Sequence, residues 1–296
     1  MMKIEKGSKV AIVAPSAQIG EISKIEKGLK YLESIGLIPV LGKNLLCSHR
    51  YMAGSDTQRA DDINSAFSDS DIKAIFCVRA AAGATRILPY IDYKLAQKNP
   101  KPVIGFCDNV ALQLALNKLS GITCLNGFSL TYDFRSASPD SVICADLEQQ
   151  LAGKLPVFKS GKTLRTGVAE GKLLCANLSV LMRLAGTPYF PDLNGKILLV
   201  EDVHERLHKI DVMLQQLKQQ PNFHKLEAVI FGQFTDCTGD EEDGTLLDCF
   251  DDFLQNTNFP AIIDFNFGHT PSRRVLPLGS PAKLNTDSAT LEILAD

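Results

Sequence analysis

The sequence of 296 residues lacks the features that would indicate a membrane, a nucleic acid or a secretory route. It contains no apolar run of about 18 residues, the length at which a membrane-spanning helix is expected. The formal net charge is -3 and the basic residues are scattered, so no nucleic-acid partner is expected. The N-terminal segment MMKIEKGSKVAIVAPS has one short apolar run and no small-residue cleavage site, which predicts a cytoplasmic protein. A small neutral or zwitterionic ligand fits this composition best.

Paired cysteines are also missing. The eight cysteines occur singly, without a CxxC motif and without a histidine at ligand spacing, so structural zinc is not expected. Most lie in apolar runs such as AIFCV and GITCL, which predicts free thiols packed as small hydrophobic side chains everywhere except at Cys107. His204 and His208 lie near Glu201 and Glu205 but lack the HExxH order, so no metal and no other cofactor is predicted.

Short apolar runs alternate with amphipathic stretches, as in α/β proteins with parallel strands. The pattern predicts strands at Lys9–Pro15, Ile38–Leu41, Ile72–Val78, Val103–Phe106, Lys196–Val200, Ala228–Gly232 and Ala261–Phe265. It predicts helices at Ile22–Ile35, Thr57–Phe67, Asn109–Leu119, Val142–Leu151, Ile210–Gln219 and Thr245–Gln255, with a further helix beginning at Ala84. On the helix at Thr57–Phe67, we expect Arg59, Asp61 and Asp62 to face the solvent.

The length favours two domains, at about 100–200 residues per domain. We place the first domain over residues 1–131 and the second over residues 172–296. Residues 132–171 are rich in serine, aspartate, proline and glycine and contain one predicted helix, so this stretch is interpreted as a linker.

The segment KPVIGFCDNVALQLAL joins a predicted strand to a predicted helix through Cys107 and Asp108. A tight turn at this point lifts a nucleophilic side chain clear of the sheet and directs the first backbone N–H groups of the helix toward a developing anion. The residues alone fit a second interpretation at least as well, in which Cys107 is a small buried residue at the start of a helix.

Two other segments carry groups for acid–base chemistry. Glu201 and Asp202 end a predicted strand, where a carboxylate can orient a histidine and stabilise its cation. The alternative is that one carboxylate caps the next helix and the other is solvated. His269 follows a strand and Gly268, which makes it a candidate general base.

The segment FCVRAAAGATRIL ends a strand in a loop of small residues with Arg79 at its start. A guanidinium can bind a carboxylate through two parallel N–H groups, so Arg79 is a candidate for holding the carboxylate of a substrate. An ordinary strand–helix turn with Arg79 in a surface ion pair is an equally good interpretation.

In combination and in this order, the segments resemble the LD-carboxypeptidase family, which comprises muramoyl-tetrapeptide carboxypeptidases and related microcin-immunity peptidases. The resemblance spans nearly the whole chain in seven blocks: AIVAPS, AGSDTQRADDINSAFSD, the Arg79 loop, GFCD, NLSVL with GTPYFP, LVED, and FGH with LPLG. It implies a Rossmann-like N-terminal domain with a parallel sheet and a smaller C-terminal α/β domain. It also implies a catalytic triad formed by Cys107 as nucleophile, Glu201 and His269.

The same resemblance implies the reaction, its place in the cell, the binding residues and the partners. The reaction is hydrolysis of the L,D-peptide bond to the terminal D-alanine of murein tetrapeptides, during cell-wall recycling in the cytoplasm and without a metal. The oxyanion is assigned to backbone N–H groups of Asp108, Ala80 and Ala81, and the substrate carboxylate to Arg79. The partners implied are a small murein peptide with a D-residue and a second copy of the chain in a homodimer.

The sequence departs from the family pattern at four places. It has GFCD where GxSD is expected, RAAAG where RGGYG is usual, NGF in place of HGP, and CAN in place of GGN. Alanine resists the positive φ that glycine allows, so the RAAAG loop bears most directly on activity. The alternative function is therefore an impaired scaffold that binds murein-like or microcin-like peptides without cleavage. An engineered cysteine is a third explanation of GFCD, but the three accompanying departures favour natural divergence.

Overall fold

The computed structural model describes residues 3–135 and 139–295, so residues 136–138 of the predicted linker lie outside the described part. The chain forms two compact units, Met1–Lys154 with Val275–Gly279, and Leu155–Arg274 with Ser280–Asp296. The stretch predicted to be a linker is divided between them, because its helix belongs to the first unit and its later strands belong to the second.

The first unit contains a six-stranded sheet in which five neighbouring strands are parallel. The strands are β1 (Lys9–Val13), β2 (Ile38–Leu41), β3 (Ile72–Cys77), β4 (Val103–Gly105), β5 (Cys124–Asn126) and β12 (Leu276–Leu278). Their order in the sheet is β12-β5-β4-β3-β1-β2, and β12 is antiparallel to β5. The α/β class predicted from the sequence is confirmed.

The helices of the first unit are α1 (Glu26–Ser34), α2 (Asp56–Ser68), α3 (Ala84–Ile87), α4 (Tyr93–Lys98), α5 (Val110–Ser120) and α6 (Ser141–Leu151). Helix α6, predicted to lie in a linker, instead packs in the hydrophobic core of this unit. Its buried residues Ile143, Leu147 and Leu151 recur every four positions, so they share one face of the helix, and that face joins the core around β1. Asp140 caps the helix by accepting hydrogen bonds from the first backbone N–H groups.

In helix α2, two charged side chains are buried that the sequence placed in the solvent. A capping box formed by Ser55 and Gln58 begins the helix, as its sequence favours. However, Arg59 and Asp62 are only 2% and 6% exposed, so the prediction that both face the solvent is wrong. Both charges have partners inside the unit: the Asp62 carboxylate accepts hydrogen bonds from the backbone and side-chain N–H groups of Asn44, and Arg59 donates to backbone carbonyls. A charged side chain can be buried when it is paired in this way.

The second unit contains an eight-stranded mixed sheet. Its strands are β6 (Val157–Lys159), β7 (Lys162–Arg165), β8 (Val168–Asn177), β9 (Lys196–Val203), β10 (Ala228–Thr235), β11 (Ala261–Ile263), β13 (Pro281–Asn285) and β14 (Thr290–Ile293). Their order in the sheet is β6-β14-β13-β8-β9-β10-β11-β7. Strands β8 to β11 are parallel to one another, and the other pairings are antiparallel.

The helices of the second unit are α7 (Leu178–Met182), α8 (Leu207–Lys218) and α9 (Leu246–Leu254). Short 3-10 turns lie at Ile22–Lys24, Leu88–Tyr90 and Cys107–Asn109 in the first unit, and at Phe223–Lys225 and Glu241–Asp243 in the second. Among the residues described, no helix has the length and apolar character needed to cross a membrane.

Candidate active site

A sharp turn carries Cys107 from the end of β4 to the start of α5. Phe106 is still extended, Cys107 has a φ of 58°, and a single 3-10 turn then leads into the helix. A non-glycine residue in this left-handed conformation is strained, and such strain is common where a nucleophile is presented at a strand–helix turn. Gly105 leaves room for the turn, because a Cβ there would lie 3.0 Å from the Cβ of Asn109, closer than an ordinary contact. Cys107 is a half-buried free thiol.

The Asp108 side chain connects this turn to two other segments of the first unit. Asp108 is buried, and its Oδ2 accepts hydrogen bonds from Ser16 Oγ at 2.7 Å and from the backbone N–H of Ala84 at 2.8 Å. Ser16 Oγ also lies 3.0 Å from Asn109 Oδ1. The sequence predicted a role for the backbone of Asp108 but not for its carboxylate. The available signal was the polar Ser16, which follows shortly after the end of the apolar strand β1.

The loop at 79–83 precedes α3. Arg79 Nη1 donates to the carbonyl of Gln18 at 2.7 Å, and the Arg79 carbonyl lies 3.4 Å from Asn109 Nδ2. Ala81 is exposed and has a φ of 135°, a conformation typical of glycine. The Gly83 carbonyl accepts a hydrogen bond from Arg59 Nη1 at 2.8 Å. The loop therefore holds an alanine in a strained conformation between two anchored ends.

Glu201 and His269, which lie in the second unit, form a direct hydrogen bond. Glu201 is near the end of β9 and is 1% exposed, and its Oε2 lies 2.8 Å from His269 Nδ1. Because a carboxylate can only accept a hydrogen bond, Nδ1 carries the proton and donates it to Glu201. The lone pair of the neutral ring is then on Nε2, the tautomer required of a general base oriented by a carboxylate.

Two glycines allow this pair to approach so closely. Gly268 has a φ of 144°, and a Cβ there would lie 2.8 Å from the Gln233 carbonyl oxygen and 3.2 Å from Glu201 Oε2. A Cβ at Gly232, in the neighbouring strand β10, would lie 2.4 Å from the Phe267 carbonyl oxygen. Larger residues at either position would displace backbone next to the carboxylate.

Asp202 forms a separate buried network. Its carboxylate accepts hydrogen bonds from Asn177 Nδ2 at 3.0 Å and from the backbone N–H of Ser179 at 2.8 Å. Burial, with a contribution from the charge of Glu201, raises the pKa of Asp202 to about 6 against the hydrogen bonds that favour its ionised form. Both Glu201 and Asp202 are buried, so the alternative in which one of them is solvated is wrong.

His204 and His208, considered above as metal ligands, lie beside acidic residues. Their Nδ1 atoms are 3.7 Å from Asp236 Oδ2 and 3.8 Å from Asp243 Oδ2, respectively, and both imidazoles are exposed. Over residues 3–135 and 139–295, the structure contains no group of three or more His, Cys, Asp and Glu side chains placed to hold a metal ion.

Comparison with known proteins places these features in a family. A model of the LD-carboxypeptidase N-terminal domain matches residues 10–127, and a model of the LD-carboxypeptidase C-terminal domain matches residues 170–284. The probable murein peptide carboxypeptidase of Bacillus subtilis (strain 168) is 30% identical, over 99% of this chain and 93% of its own length. The murein tetrapeptide carboxypeptidase of Pseudomonas aeruginosa is 31% identical, over 93% of this chain and 92% of its own.

Solved structures agree with this assignment. The muramoyltetrapeptide carboxypeptidase from Oxalobacter formigenes has a TM-score of 0.89 and 26% identity, covering 97% of this chain and 99% of its own. The microcin C7 self-immunity protein MccF in the wild-type apo state also has a TM-score of 0.89, at 21% identity over 100% of this chain and 99% of its own, a likeness that concerns the fold. The chain therefore belongs to the LD-carboxypeptidase family, and its relatives identify it as a carboxypeptidase, a hydrolase.

Proposed function

We propose that this protein hydrolyses the L,D-peptide bond to the terminal D-alanine of murein tetrapeptides, without a metal and with Cys107 as the nucleophile. The observation that carries the proposal is the 2.8 Å hydrogen bond between Glu201 and His269, because it gives a histidine the tautomer of a general base. The names of the relatives from Bacillus subtilis and Pseudomonas aeruginosa support murein peptides as the substrate class.

The first half of the reaction forms an acyl-enzyme. His269 Nε2 takes the thiol proton of Cys107, and the sulfur attacks the carbonyl carbon of the scissile bond. Backbone N–H groups of Asp108, Ala80 and Ala81 stabilise the resulting oxyanion. As the C–N bond breaks, His269 transfers the proton to the nitrogen of D-alanine, which leaves as a free amino acid.

The second half regenerates the enzyme. His269 takes a proton from water, the hydroxide attacks the thioester carbon, and the C–S bond breaks with return of the proton to Cys107. Glu201 keeps its proton-free carboxylate throughout and stabilises the imidazolium that forms in both halves. Arg79 binds the C-terminal carboxylate of the substrate, which would make the activity that of a carboxypeptidase.

Release of D-alanine from murein tetrapeptide, measured by mass spectrometry, tests the proposal. We expect turnover by the wild-type chain that is abolished by iodoacetamide, and a loss of about 1000-fold or more in Cys107→Ala. Cys107→Ser should retain turnover and resist iodoacetamide. The matched control is Cys47→Ala, because Cys47 is also a half-buried thiol of the first unit. Turnover that survives in Cys107→Ala would exclude this residue as the nucleophile.

A second candidate function is peptide binding without cleavage. The strain at Ala81 favours it if the loop at 79–83 relaxes in solution and its N–H groups move away from the oxyanion. If the protein only binds peptides, calorimetry should detect binding of the tetrapeptide, and this binding should be unchanged in Cys107→Ala. No D-alanine should be released. Absence of product over the full time course, together with measurable binding, would favour the scaffold over the enzyme.

The family resemblance also leads us to propose a homodimer that acts in the cytoplasm on recycled cell-wall peptides. Light scattering on the purified chain should give about twice the 32.3 kDa of one copy. A mass of one copy at working concentration would contradict the dimer and leave the proposed reaction untouched.

A further inference from the structure

Arg59 is a buried cation close to the turn that carries Cys107. Its side chain is 0% exposed. Its Nη1 donates to the backbone carbonyls of Pro15 and Gly83, and its Nη2 contacts the Asp56 carboxylate and, at 3.3 Å, the sulfur of Met52. Removing a guanidinium from water is costly unless its hydrogen bonds are satisfied. Among the described residues, the buried Nε of Arg59 has no hydrogen-bond partner, so this placement leaves one donor unsatisfied.

The peptide group between Gly83 and Ala84 is held from both sides. Its carbonyl accepts the hydrogen bond from Arg59 Nη1 at 2.8 Å, and its N–H donates to Asp108 Oδ2 at 2.8 Å. Because a peptide group is planar, these two bonds fix its orientation. It ends the loop at 79–83 and begins α3, so Arg59 and Asp108 together fix where that loop ends.

Arg59 reaches the same carboxylate by a second route. The Pro15 carbonyl, its other backbone partner, belongs to the peptide group that leads into Ser16. Ser16 Oγ donates to Asp108 Oδ2 at 2.7 Å. Both carbonyls bound by Arg59 therefore belong to peptide groups whose next residue binds Asp108, the residue after Cys107.

Asp56 extends this arrangement to α3. Arg86 Nε and Nη2 bind its two oxygens at 3.0 Å and 2.7 Å. The hydrogen bond from Arg86 lowers the pKa of Asp56, so this carboxylate stays ionised between the two guanidinium groups. The planar fork of Arg59 can bind two carbonyls and a carboxylate at once, which the point charge of a lysine cannot reproduce.

We propose that Arg59 is a positioning residue for the reaction: it orients the Gly83–Ala84 peptide and Asp108, and thereby aligns the loop at 79–83 with the turn at Cys107. This inference rests on the proposed carboxypeptidase function. Arg59 does not touch the substrate in this role. Its loss misaligns the backbone N–H groups that stabilise the oxyanion, so it lowers kcat and leaves KM nearly unchanged.

The test compares Arg59→Met with Lys101→Met. Lys101 is also a buried cation of the first unit, and its Nζ donates to the backbone carbonyls of Ala66, Phe67 and Asp69, away from the turn. Both variants should lower the melting temperature. Only Arg59→Met should lower kcat, by about 100-fold, and Arg59→Lys should recover stability better than kcat.

The rate at which iodoacetamide alkylates Cys107 provides a readout that does not need turnover. We expect a change of more than about threefold in Arg59→Met and Asp56→Asn, and a rate close to wild type in Lys101→Met. If the wild-type chain releases no D-alanine, the proposed function fails while this readout still tests Arg59. A folded Arg59→Lys with wild-type kcat and alkylation rate, or an equal loss of kcat in Lys101→Met, would overturn the positioning role. If Arg59→Met does not fold, Arg59→Lys and Asp56→Asn decide the question.

Discussion

Replacing Ala81 by glycine should stabilise the first unit. The φ of 135° at Ala81 lies in a region that only glycine adopts readily, and a residue held there by its surroundings costs about 1–3 kcal/mol. Glycine removes this strain but gains about 0.4–1 kcal/mol of unfolded-state entropy. The exposed methyl group contributes little buried surface. The net expectation is a gain of about 0.5–2 kcal/mol, equivalent to about 1–8 °C in melting temperature for a unit of this size.

Two other alanine-to-glycine variants serve as controls for Ala81→Gly, with the stability of all three measured by calorimetry. Ala82 belongs to the same loop but not to the residues with positive φ, so Ala82→Gly should lose about 0.4–1 kcal/mol. Ala289, between β13 and β14 in the second unit, has a φ of 49°, so Ala289→Gly should be neutral to stabilising without any effect on turnover.

Ala81→Gly also distinguishes backbone strain at Ala81 from misalignment of the loop at 79–83. The loop already holds the glycine-like conformation at Ala81, so we expect kcat of Ala81→Gly to stay within about threefold of wild type. A melting temperature that falls in Ala81→Gly as it does in Ala82→Gly would refute the strain argument. A rise of kcat by about 100-fold would mean that the alanine displaces the loop in solution.

Three other predictions concern the second unit. Glu201→Gln should lower kcat by about 100- to 10,000-fold with little change in melting temperature, because an amide can hold His269 in the wrong tautomer. An unchanged kcat would mean that Glu201 has no part in the mechanism. Gly268→Ala should lower the free energy of unfolding, measured in urea, by about 2–4 kcal/mol. The control is Gly186→Ala, at a φ of 79° with open space around its Cβ, which should cost only about 1–2 kcal/mol. Equal losses in the two variants would contradict the packing argument. Because the pKa of Asp202 is raised to about 6, the folded chain binds more protons than the unfolded chain between about pH 4 and pH 6. The contribution of Asp202 to the free energy of unfolding therefore falls as pH rises through that window, by on the order of 3 kcal/mol. Asp202→Asn should reduce that slope in urea titrations at a series of pH values, and an unchanged slope would assign it to other groups.

The fold class could be predicted because apolar runs and turn residues mark most parallel strands. Strand β8 was not predicted, because burial alternates with exposure in its first half and the sequence VAEGK shows no apolar run. Strand β12 has only three residues, and β13 and β14 are short and carry polar residues, so the sequence does not show where these strands pair. Helix α6 was predicted with nearly correct ends, but its sequence did not reveal which unit it would join.

The candidate site was only partly predictable for a similar reason. Motif order selected Glu201 and His269, but the close approach of the two depends on Gly232 and Gly268, whose role emerges only when two strands and a loop are packed together. Arg59 was assigned to the solvent because a charged residue on an amphipathic helix usually faces water. Its partners are carbonyls, and the sequence does not indicate where backbone carbonyls of distant segments converge.

Strand β12 has a consequence for the way the chain is made on the ribosome. Residues Val275–Gly279 complete the sheet of a unit that otherwise ends at Lys154, and Val275 binds the side chains of Gln150 and Asp146 at 2.6 Å and 3.1 Å. During synthesis from the N-terminus, β5 therefore remains an unpaired sheet edge on the β12 side until most of the second unit has been translated. Such an edge can pair with other chains, so the nascent protein depends on rapid completion of its C-terminal part.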